Sequence, residues 1–321
     1  MNILITSAGR RVSLVRAFKS ELLKFFQDGR VYTADLQPEL SSACRQSDGY
    51  FHVSRVTDPA YPGELIKICA DNNIKLVIPT LDTELIPLSE NSLLFQEKGI
   101  HVIISTPEMV RICRNKKKLF HYFDSIGFPR TSEIDPGNPE FPIFVKPIDG
   151  SSSIGTMVIK DEIQYSKKIL ESSDLVFLKY LSPSEFSEFT IDLYYNRQNK
   201  LVCAVPRERL EVRNGEVSKS VTRKDQLYKT IFEVFSKCRG FIGCITLQVF
   251  KRRNSDEIIG IEINPRFGGG YPLSYRAGAN YPEYLIREYL MGEGIEYFDK
   301  WVSDMLMLRY DDEIIVNDYK S

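Results

Sequence analysis

What most restricts the fold is the alternation in the first hundred residues, where short apolar runs take turns with helical patterns. NILIT is an apolar run that ends at Ser7, Ala8 and Gly9. A helical pattern follows, with Val12, Leu14, Val15, Phe18, Leu22 and Leu23 on one broad face. VYTAD reads as a second strand ending at Asp35. A helix around Gly63–Asn72 leads into the strand KLVIPT, and another near Glu84–Glu97 leads into HVIIS. Strands separated by single helices pair in parallel through right-handed crossovers, so this third is expected to be a doubly wound sheet. Gly9 and Asp35 occupy the places where a dinucleotide fold holds phosphate and ribose. The sequence there, SAGRR, departs from GxGxxG, and a plain tight turn fits it better.

The middle of the chain changes character. One helix is expected from about Pro107 to Ile126, stopped by Gly127 with Pro129 beyond it. FPIFVKPIDGSSSIGTMVI then reads as two strands flanking a Gly/Ser loop, followed by a helix near Gln164–Glu171 and the strand LVFLKYL. The remainder is rich in antiparallel strand patterns: FTIDLYY, KLVCAVPRE, CITLQVF and EIIGIEIN. Helices near Asp225–Arg239 and Pro282–Met291 cover them, and MLMLRY is the last strand candidate.

Three stretches carry candidate chemistry. In FVKPIDGSSSIG, Lys146 ends a strand and Gly150, Ser151, Ser152, Ser153 and Gly155 follow at once. Small residues let backbone N–H groups approach an anion, and lysine supplies the point charge. A hairpin that happens to be serine-rich accounts for the same residues equally well. Lys116 lies early on the helix in RNKKKLFHYF, where amides attract phosphate, while Lys117 and Lys118 read as solvated surface. IGIEINPRFGGG is the strongest signal. Glu262 and Asn264 alternate on one strand face, with Ile261 and Ile263 turned to the core. A hairpin centred near Ser255 sets Gln248 across from Glu262. Three oxygen-bearing side chains with one full charge suit a magnesium ion that also takes phosphate oxygens. Arg266 stands two residues after Asn264, within reach of a phosphoryl group, and Gly268, Gly269 and Gly270 offer a backbone-lined pocket.

Composition removes other classes. A net charge of −1 offers no surface for nucleic acid or anionic membranes. The six cysteines, at 44, 69, 113, 203, 238 and 244, form no CxxC pair and have no metal spacing, so free thiols in a reducing compartment are expected. The N-terminus turns polar too soon for a signal peptide, and no apolar run approaches the ~20 residues of a membrane span. A cytoplasmic protein is therefore expected. Only His52, His101 and His121 exist and no GxSxG occurs, which disfavours hydrolase triads.

In this order the motifs resemble the ATP-grasp superfamily, particularly single-domain relatives of the carbamoyl-phosphate synthase large subunit and biotin-carboxylase-like enzymes. The resemblance implies a mixed α/β and α+β fold. A Rossmann-like parallel-sheet lobe would span 1–107, before a two-lobed ATP-grasp domain with a small lobe and flap at 108–180 and a large, metal-binding lobe at 181–321. By the same likeness, Lys116 and Lys146 are the nucleotide lysines and the flap carries Ser151, Ser152 and Ser153. The strand around Lys179, Tyr180 and Leu181 reads adenine through its backbone, and Glu188 holds the ribose. Gln248, Glu262 and Asn264 match magnesium ligands, and Arg266 matches an arginine near the γ-phosphate. The implied cofactors are ATP and Mg2+, with Mn2+ as a substitute. Leu178 stands where the hinge often has Glu, Gln248 where many relatives have an acid, and the flap is serine-rich.

The implied reaction is phosphorylation of a small-molecule carboxylate to an acyl phosphate, then attack by an amine or other nucleophile. Arg207 and Arg209, in AVPRERLEVRNGEVSK, are candidates for steering phosphate or substrate, with a surface charge pattern the equal alternative. Tyr271, Tyr275, Arg276 and the glycines at 268–270 are candidate pocket residues. A small-molecule kinase and a non-catalytic ATP-binding subunit remain open as alternatives. The expected partners are small molecules, with neither nucleic acid nor membrane, and a homodimer is compatible with the likeness.

Overall fold

The structure is a computed structural model that describes residues 1–149, 155–164, 174–213, 215–317 and 319. The N-terminal part is a parallel five-stranded sheet in the order β3-β2-β1-β4-β5. Its strands are β1 (Asn2–Thr6), β2 (Arg30–Asp35), β3 (Gly49–His52), β4 (Ile74–Pro79) and β5 (His101–Val102). β1 and β4 run next to each other at the centre and are buried along almost their whole length, as strands covered on both faces must be. The first helix, Val12–Phe25, buries Leu14, Val15, Ala17, Phe18 and Leu22. Leu23 sits off that stripe and is exposed, unlike its sequence expectation. The HVIIS strand is shorter than expected, and the helix near Glu84–Glu97 is two pieces, Leu85–Glu90 and Ser92–Glu97.

The helix expected from Pro107 to Ile126 is also two, Pro107–Arg114 and Lys116–Ser125. Asn115 divides them. Its extended backbone stops the first, and its side chain caps the second by accepting from the Lys118 amide at 3.1 Å. A three-stranded antiparallel sheet follows, ordered β7-β6-β8, from β6 (Ile143–Pro147), β7 (Met157–Ile159) and β8 (Leu175–Lys179). The Gly150–Ser153 loop and most of the helix expected near Gln164–Glu171 lie outside the described residues.

The largest sheet is ordered β13-β12-β9-β10-β11-β14 and every neighbouring pair in it is antiparallel. It comprises β9 (Phe186–Tyr195), β10 (Leu201–Arg213), β11 (Glu216–Thr222), β12 (Gly243–Arg252), β13 (Ile258–Asn264) and β14 (Leu306–Leu308). Helices Gln226–Phe235, Tyr271–Arg276 and Tyr281–Leu290 complete this part.

One continuous core runs from Ile3, Leu14 and Phe18 through Phe123 and Phe128 to Tyr194, Leu247, Tyr281 and Trp301. Phe18 meets Phe267 edge-on at 5.8 Å, and Tyr275 donates to Glu21 at 2.7 Å, so the first helix is tied to the distant C-terminal segment. A second core, including Leu4, Tyr61 and Leu85, lies within the N-terminal part. The three-stranded sheet has its own small core of Ile143, Val145, Ile159 and Phe177. Among the described residues no helix is long and apolar enough to cross a membrane.

Candidate functional site

Pleating of the six-stranded sheet gathers the polar candidates on one face. Glu188, Thr190 and Asp192 alternate along β9. Gln248 lies opposite Thr190, and Thr246 opposite Asp192. On the next strand Glu262 faces Gln248 and Asn264 faces Thr246. On the other side Arg207 faces Thr190. The expected Gln248–Glu262 pairing therefore holds, but it depends on a bulge. From the hairpin end, Val249 pairs with Gly260, and the register then slips so that Glu262 rather than Ile261 meets Gln248. The slip leaves Ile261 only half-buried, whereas Ile263 is buried as expected. Asn264 donates to Glu262 Oε1 at 2.9 Å, which orients both side chains.

Two lysines face this acid from the small sheet and the helix beneath it. Lys146, on β6, is 5% exposed, and its Nζ sits 5.7 Å from the Phe120 ring centroid. Burial lowers its pKa to about 8. Glu262 works against that shift and Lys116 adds to it. Lys116 is also buried, donates from Nζ to the Ile148 carbonyl at 3.4 Å, and has a pKa lowered by burial against the pull of Glu262. Lys117 and Lys118 are exposed. Glu188 lies 3.4 Å from Arg209 Nε; burial raises its pKa, Arg209 opposes the rise and Glu262 adds to it. Lys116, Lys146, Glu188, Arg209 and Glu262 thus form one electrostatically linked set.

Gln248, Glu262 and Asn264 offer only hard oxygen donors, with one carboxylate. Among the described residues no cluster of three or more His, Cys, Asp or Glu fits a metal ion. This donor set fits a hard dication whose remaining oxygens come from a phosphate chain, and does not fit a self-sufficient protein cage.

At the hinge, the Lys179 N–H is taken by the Ser132 carbonyl at 3.0 Å, so a backbone contact from Lys179 to a base would use its carbonyl. Tyr180 and Leu181 are half-buried. Ser151, Ser152 and Ser153 lie outside the described residues.

The arginines are placed differently from the sequence expectation. Arg266 forks onto Asp82, with Nε–Oδ1 at 2.9 Å and Nη2–Oδ2 at 2.7 Å. Burial disfavours its charge, but Asp82 and then Glu262 overcome this and raise its pKa. Arg266 thereby links Glu262 of the six-stranded sheet to Asp82 of the N-terminal part. Arg207 is no surface steering group. It is 1% exposed and forks onto buried Asp192 at 2.7 and 3.0 Å, while Ser274 donates to the same carboxylate at 2.6 Å. The glycines above it serve close packing. A methyl group on Gly270 would come within 2.2 Å of Arg207 Nη1, and one on Gly268 within 2.9 Å of Thr246 Oγ1. Tyr271 is buried, donating to the Ala279 carbonyl and accepting from the Tyr281 amide. Tyr275 does not line the cavity and is tied to Glu21.

A cavity of about 1030 Å3 opens between the N-terminal sheet and the Gly268–Gly269 turn. Ser7, Gly9, Thr80 and Leu81 line it from one side, Glu216, Arg276 and Arg309 from the other. It lies outside the carboxyl ends of β1 and β4, where the strand order of a doubly wound sheet reverses and ligand sites form. Asp35 accepts from the Gly9 amide at 2.9 Å and so holds the tight turn together. Glu84, fully buried, accepts from Ser7, Tyr61, Thr80 and Leu81 and fixes both lining loops. Sequence reasoning missed Asp82, Asp192 and Arg11. Asp82 follows the end of a central parallel strand, and that position was its available signal. Asp192 sits in a strand whose apolar neighbours masked it.

Residues 3–103 match the family described as PylC-like, N-terminal domain, and residues 171–311 match ATP-grasp in the biosynthetic pathway with Ter operon. Over 148 residues the chain is 32% identical to the 3-methyl-D-ornithine–L-lysine ligase of Methanosarcina acetivorans, covering 46% of this chain and 38% of that protein. The matched stretch thus spans well under half of the curated relative. The biotin carboxylase domain of Hydrogenobacter thermophilus 2-oxoglutarate carboxylase, solved with MgADP and bicarbonate, superposes with a TM-score of 0.72 at 12% identity, covering 94% of this chain and 72% of that one. N5-carboxyaminoimidazole synthetase from Staphylococcus aureus, solved with ADP, gives a TM-score of 0.70 at 17% identity, over 92% and 78% of the two chains.

Proposed function

We propose, since the chain belongs to the ATP-grasp superfamily, that it is an ATP- and magnesium-dependent ligase joining a small-molecule carboxylate to an amine. The observation that carries this reading is the facing of buried Lys146 and Lys116 toward Glu262 between the two antiparallel sheets. A buried lysine with a lowered pKa is stabilised by an arriving phosphate, and a lone carboxylate with two amides calls for a metal brought with that phosphate.

Lys116 and Lys146 hold the phosphate chain, the backbone at Lys179–Leu181 reads the base, and Glu188 takes the ribose. Gln248, Glu262 and Asn264 would hold Mg2+, with Mn2+ a tolerable substitute. The bound ion supplies charge neutralisation on the transferring phosphoryl group. A carboxylate oxygen of the acid attacks the γ-phosphorus and ADP leaves. The amine then attacks the acyl carbon, phosphate departs, and the nitrogen loses its proton to solvent. Arg266, linked electrostatically to Glu262 and to Arg11 of the cavity wall, stabilises the acyl phosphate. Arg207 acts at one remove, as a positioning residue that fixes Asp192 and the Gly268–Gly270 turn. The buried or half-buried free thiols support a reducing, cytoplasmic setting.

The reading is tested by ADP release over a panel of carboxylic acids paired with amines. ADP and phosphate should appear together and only with both substrates. A stable phosphorylated acid formed without any amine would assign the chain to kinases instead.

A further inference from the structure

The ligase reading gives Asp82 no task, although the chain is built to hold it still. Strand β4 ends at Pro79, and a short helical turn, Asp82–Glu84, follows. Glu84 closes that turn by accepting from the Thr80 amide at 2.7 Å and the Leu81 amide at 2.8 Å. Asp82 itself is 3% exposed, and among the described residues its carboxylate accepts side-chain hydrogen bonds from Arg266 alone. A buried carboxylate needs such a partner. Release of Arg266 would strand it, so the fork is a fixture and not a latch.

The fork decides which edge of Arg266 is left over. A guanidinium has five N–H donors. Nε and Nη2 each give one to Asp82, and Nη1 gives one to the Phe267 carbonyl at 3.1 Å. With Asp82 on the Nε edge, the contact open to a pair of phosphoryl oxygens is the end formed by Nη1 and Nη2. The backbone is held as well. The Arg266 amide donates to the Asn264 carbonyl at 2.8 Å, and the Thr246 hydroxyl donates to the Arg266 carbonyl at 2.9 Å. A long side chain is thus fixed at both ends. The charges around it come from both parts of the molecule. Glu262 acts on Arg266 from the six-stranded sheet, while Asp82 also acts on Lys116 and on half-buried Arg11, which Glu216 answers too.

We propose that Asp82 is a positioning residue for phosphoryl transfer: it holds the Nε edge of Arg266 so that the Nη1–Nη2 end meets the acyl phosphate. The inference rests on the ligase reading and deepens it by adding a residue of the N-terminal part to the phosphoryl site. Two effects of Asp82 oppose each other. As a charge, it repels an arriving phosphate. As a clamp, it orders the arginine before the anion arrives, so that no reorganisation is needed during transfer. Contacts of 2.7 and 2.9 Å already neutralise the carboxylate against Arg266, which leaves the clamp as the larger effect.

The test uses the whole chain as wild type, Asp82→Asn, Asp82→Glu, Arg266→Lys, and the double variant Asp82→Asn with Arg266→Lys. Calorimetry follows ADP–Mg, then inorganic phosphate titrated onto protein saturated with ADP–Mg. Wild type should bind phosphate. Asp82→Asn should bind it about tenfold more weakly, the loss of one charge-assisted hydrogen bond, with ADP–Mg affinity within about twofold of wild type. The double variant should be no weaker than Arg266→Lys alone, because Asp82 acts through Arg266. Asp82→Glu keeps the charge but moves the fork by one methylene. It should hold the apo melting temperature and still bind phosphate more weakly, which carries the test if Asp82→Asn melts early. Tighter phosphate binding by Asp82→Asn would make Asp82 a repelling charge and overturn the proposal. Phosphate affinities of both Asp82 variants near wild type, additive losses in the double variant, or no phosphate binding by wild type would overturn it too. In turnover, with the acid identified by hydroxylamine trapping, Asp82→Asn should lower kcat about tenfold and leave KM for ATP within about twofold. An unchanged kcat would also count against it. A wild type that makes no ADP with any acid would remove the ligase reading, while the phosphate titrations judge Asp82 separately.

Discussion

The three-stranded and six-stranded sheets carry opposite halves of the proposed site, but they are anchored differently. The small sheet carries Lys146; one of its faces packs a separate core of Ile143, Val145, Ile159 and Phe177, and the other adds only Val176 and Leu178 to the main core. The large sheet carries Glu188, Gln248, Glu262 and Asn264 on a core continuous with the N-terminal part. Local stability follows buried apolar contact, so the large sheet, which supplies far more of the main core, is expected to be the more firmly held jaw and the small sheet the one that opens first. A nucleotide bound between them would draw the weak jaw onto the strong one, because Lys146 and Glu262 share the same electrostatic set.

The difference can be broken or sharpened from its strong side first. Asp192→Ala strands the buried Arg207 charge and removes the acceptor of Ser274. Breaking a buried pair in this way costs about 3–5 kcal/mol, to be read from urea unfolding. A loss near zero would mean that the large sheet does not depend on its polar centre. Glu262→Gln is near-isosteric and removes the only full negative charge among the three proposed metal ligands. Turnover should fall on the order of 100-fold while the apo melting temperature holds. Unchanged turnover would detach Glu262 from the chemistry.

Amide hydrogen exchange compares the jaws directly. Amides in β6 and β8 should exchange on the order of 100-fold faster than those of β9 and β12, and ATP–Mg should slow the former selectively. Equal protection would abolish the distinction. The smallest effect is on affinity. Lys146→Ala should weaken ATP–Mg binding about tenfold, a loss of ~1.4 kcal/mol, and Lys117→Ala less than twofold. For wild type, nucleotide affinity should fall as pH rises through about 8, where Lys146 loses its charge. Apo stability from this group moves the other way. Its folded pKa is below the unfolded value of 10.5, so the unfolded chain holds more protons between those limits and stability rises with pH across them. Titrations in buffers of matched ionic strength show whether the two trends diverge.

Strand and helix alternation made the N-terminal sheet legible, and the GIEINPRFGGG stretch made the Glu262 face legible, because both depend on local periodicity. Asn115 was not read as a break, since one polar residue between two amphipathic segments looks like a continuing helix until its capping bond forms. The bulge at Ile261 is a property of two paired strands and leaves no mark on one of them. Arg207 read equally as a steering group or a surface charge because its partner, Asp192, is fifteen residues away on a neighbouring strand. Asp82 meets Arg266 across 184 residues, a separation that no local pattern reports.

The central claim is that a carboxylate is activated as an acyl phosphate. Hydroxylamine tests this most directly, because it replaces the amine and traps an acyl phosphate as a hydroxamate. A panel of small carboxylic acids with ATP, Mg2+ and hydroxylamine is assayed for hydroxamate, ADP and phosphate. For the true acid the three should form in equal amounts, and Glu262→Gln should suppress all of them together. ADP without hydroxamate, or AMP and pyrophosphate in place of ADP and phosphate, would contradict acyl-phosphate chemistry in this protein.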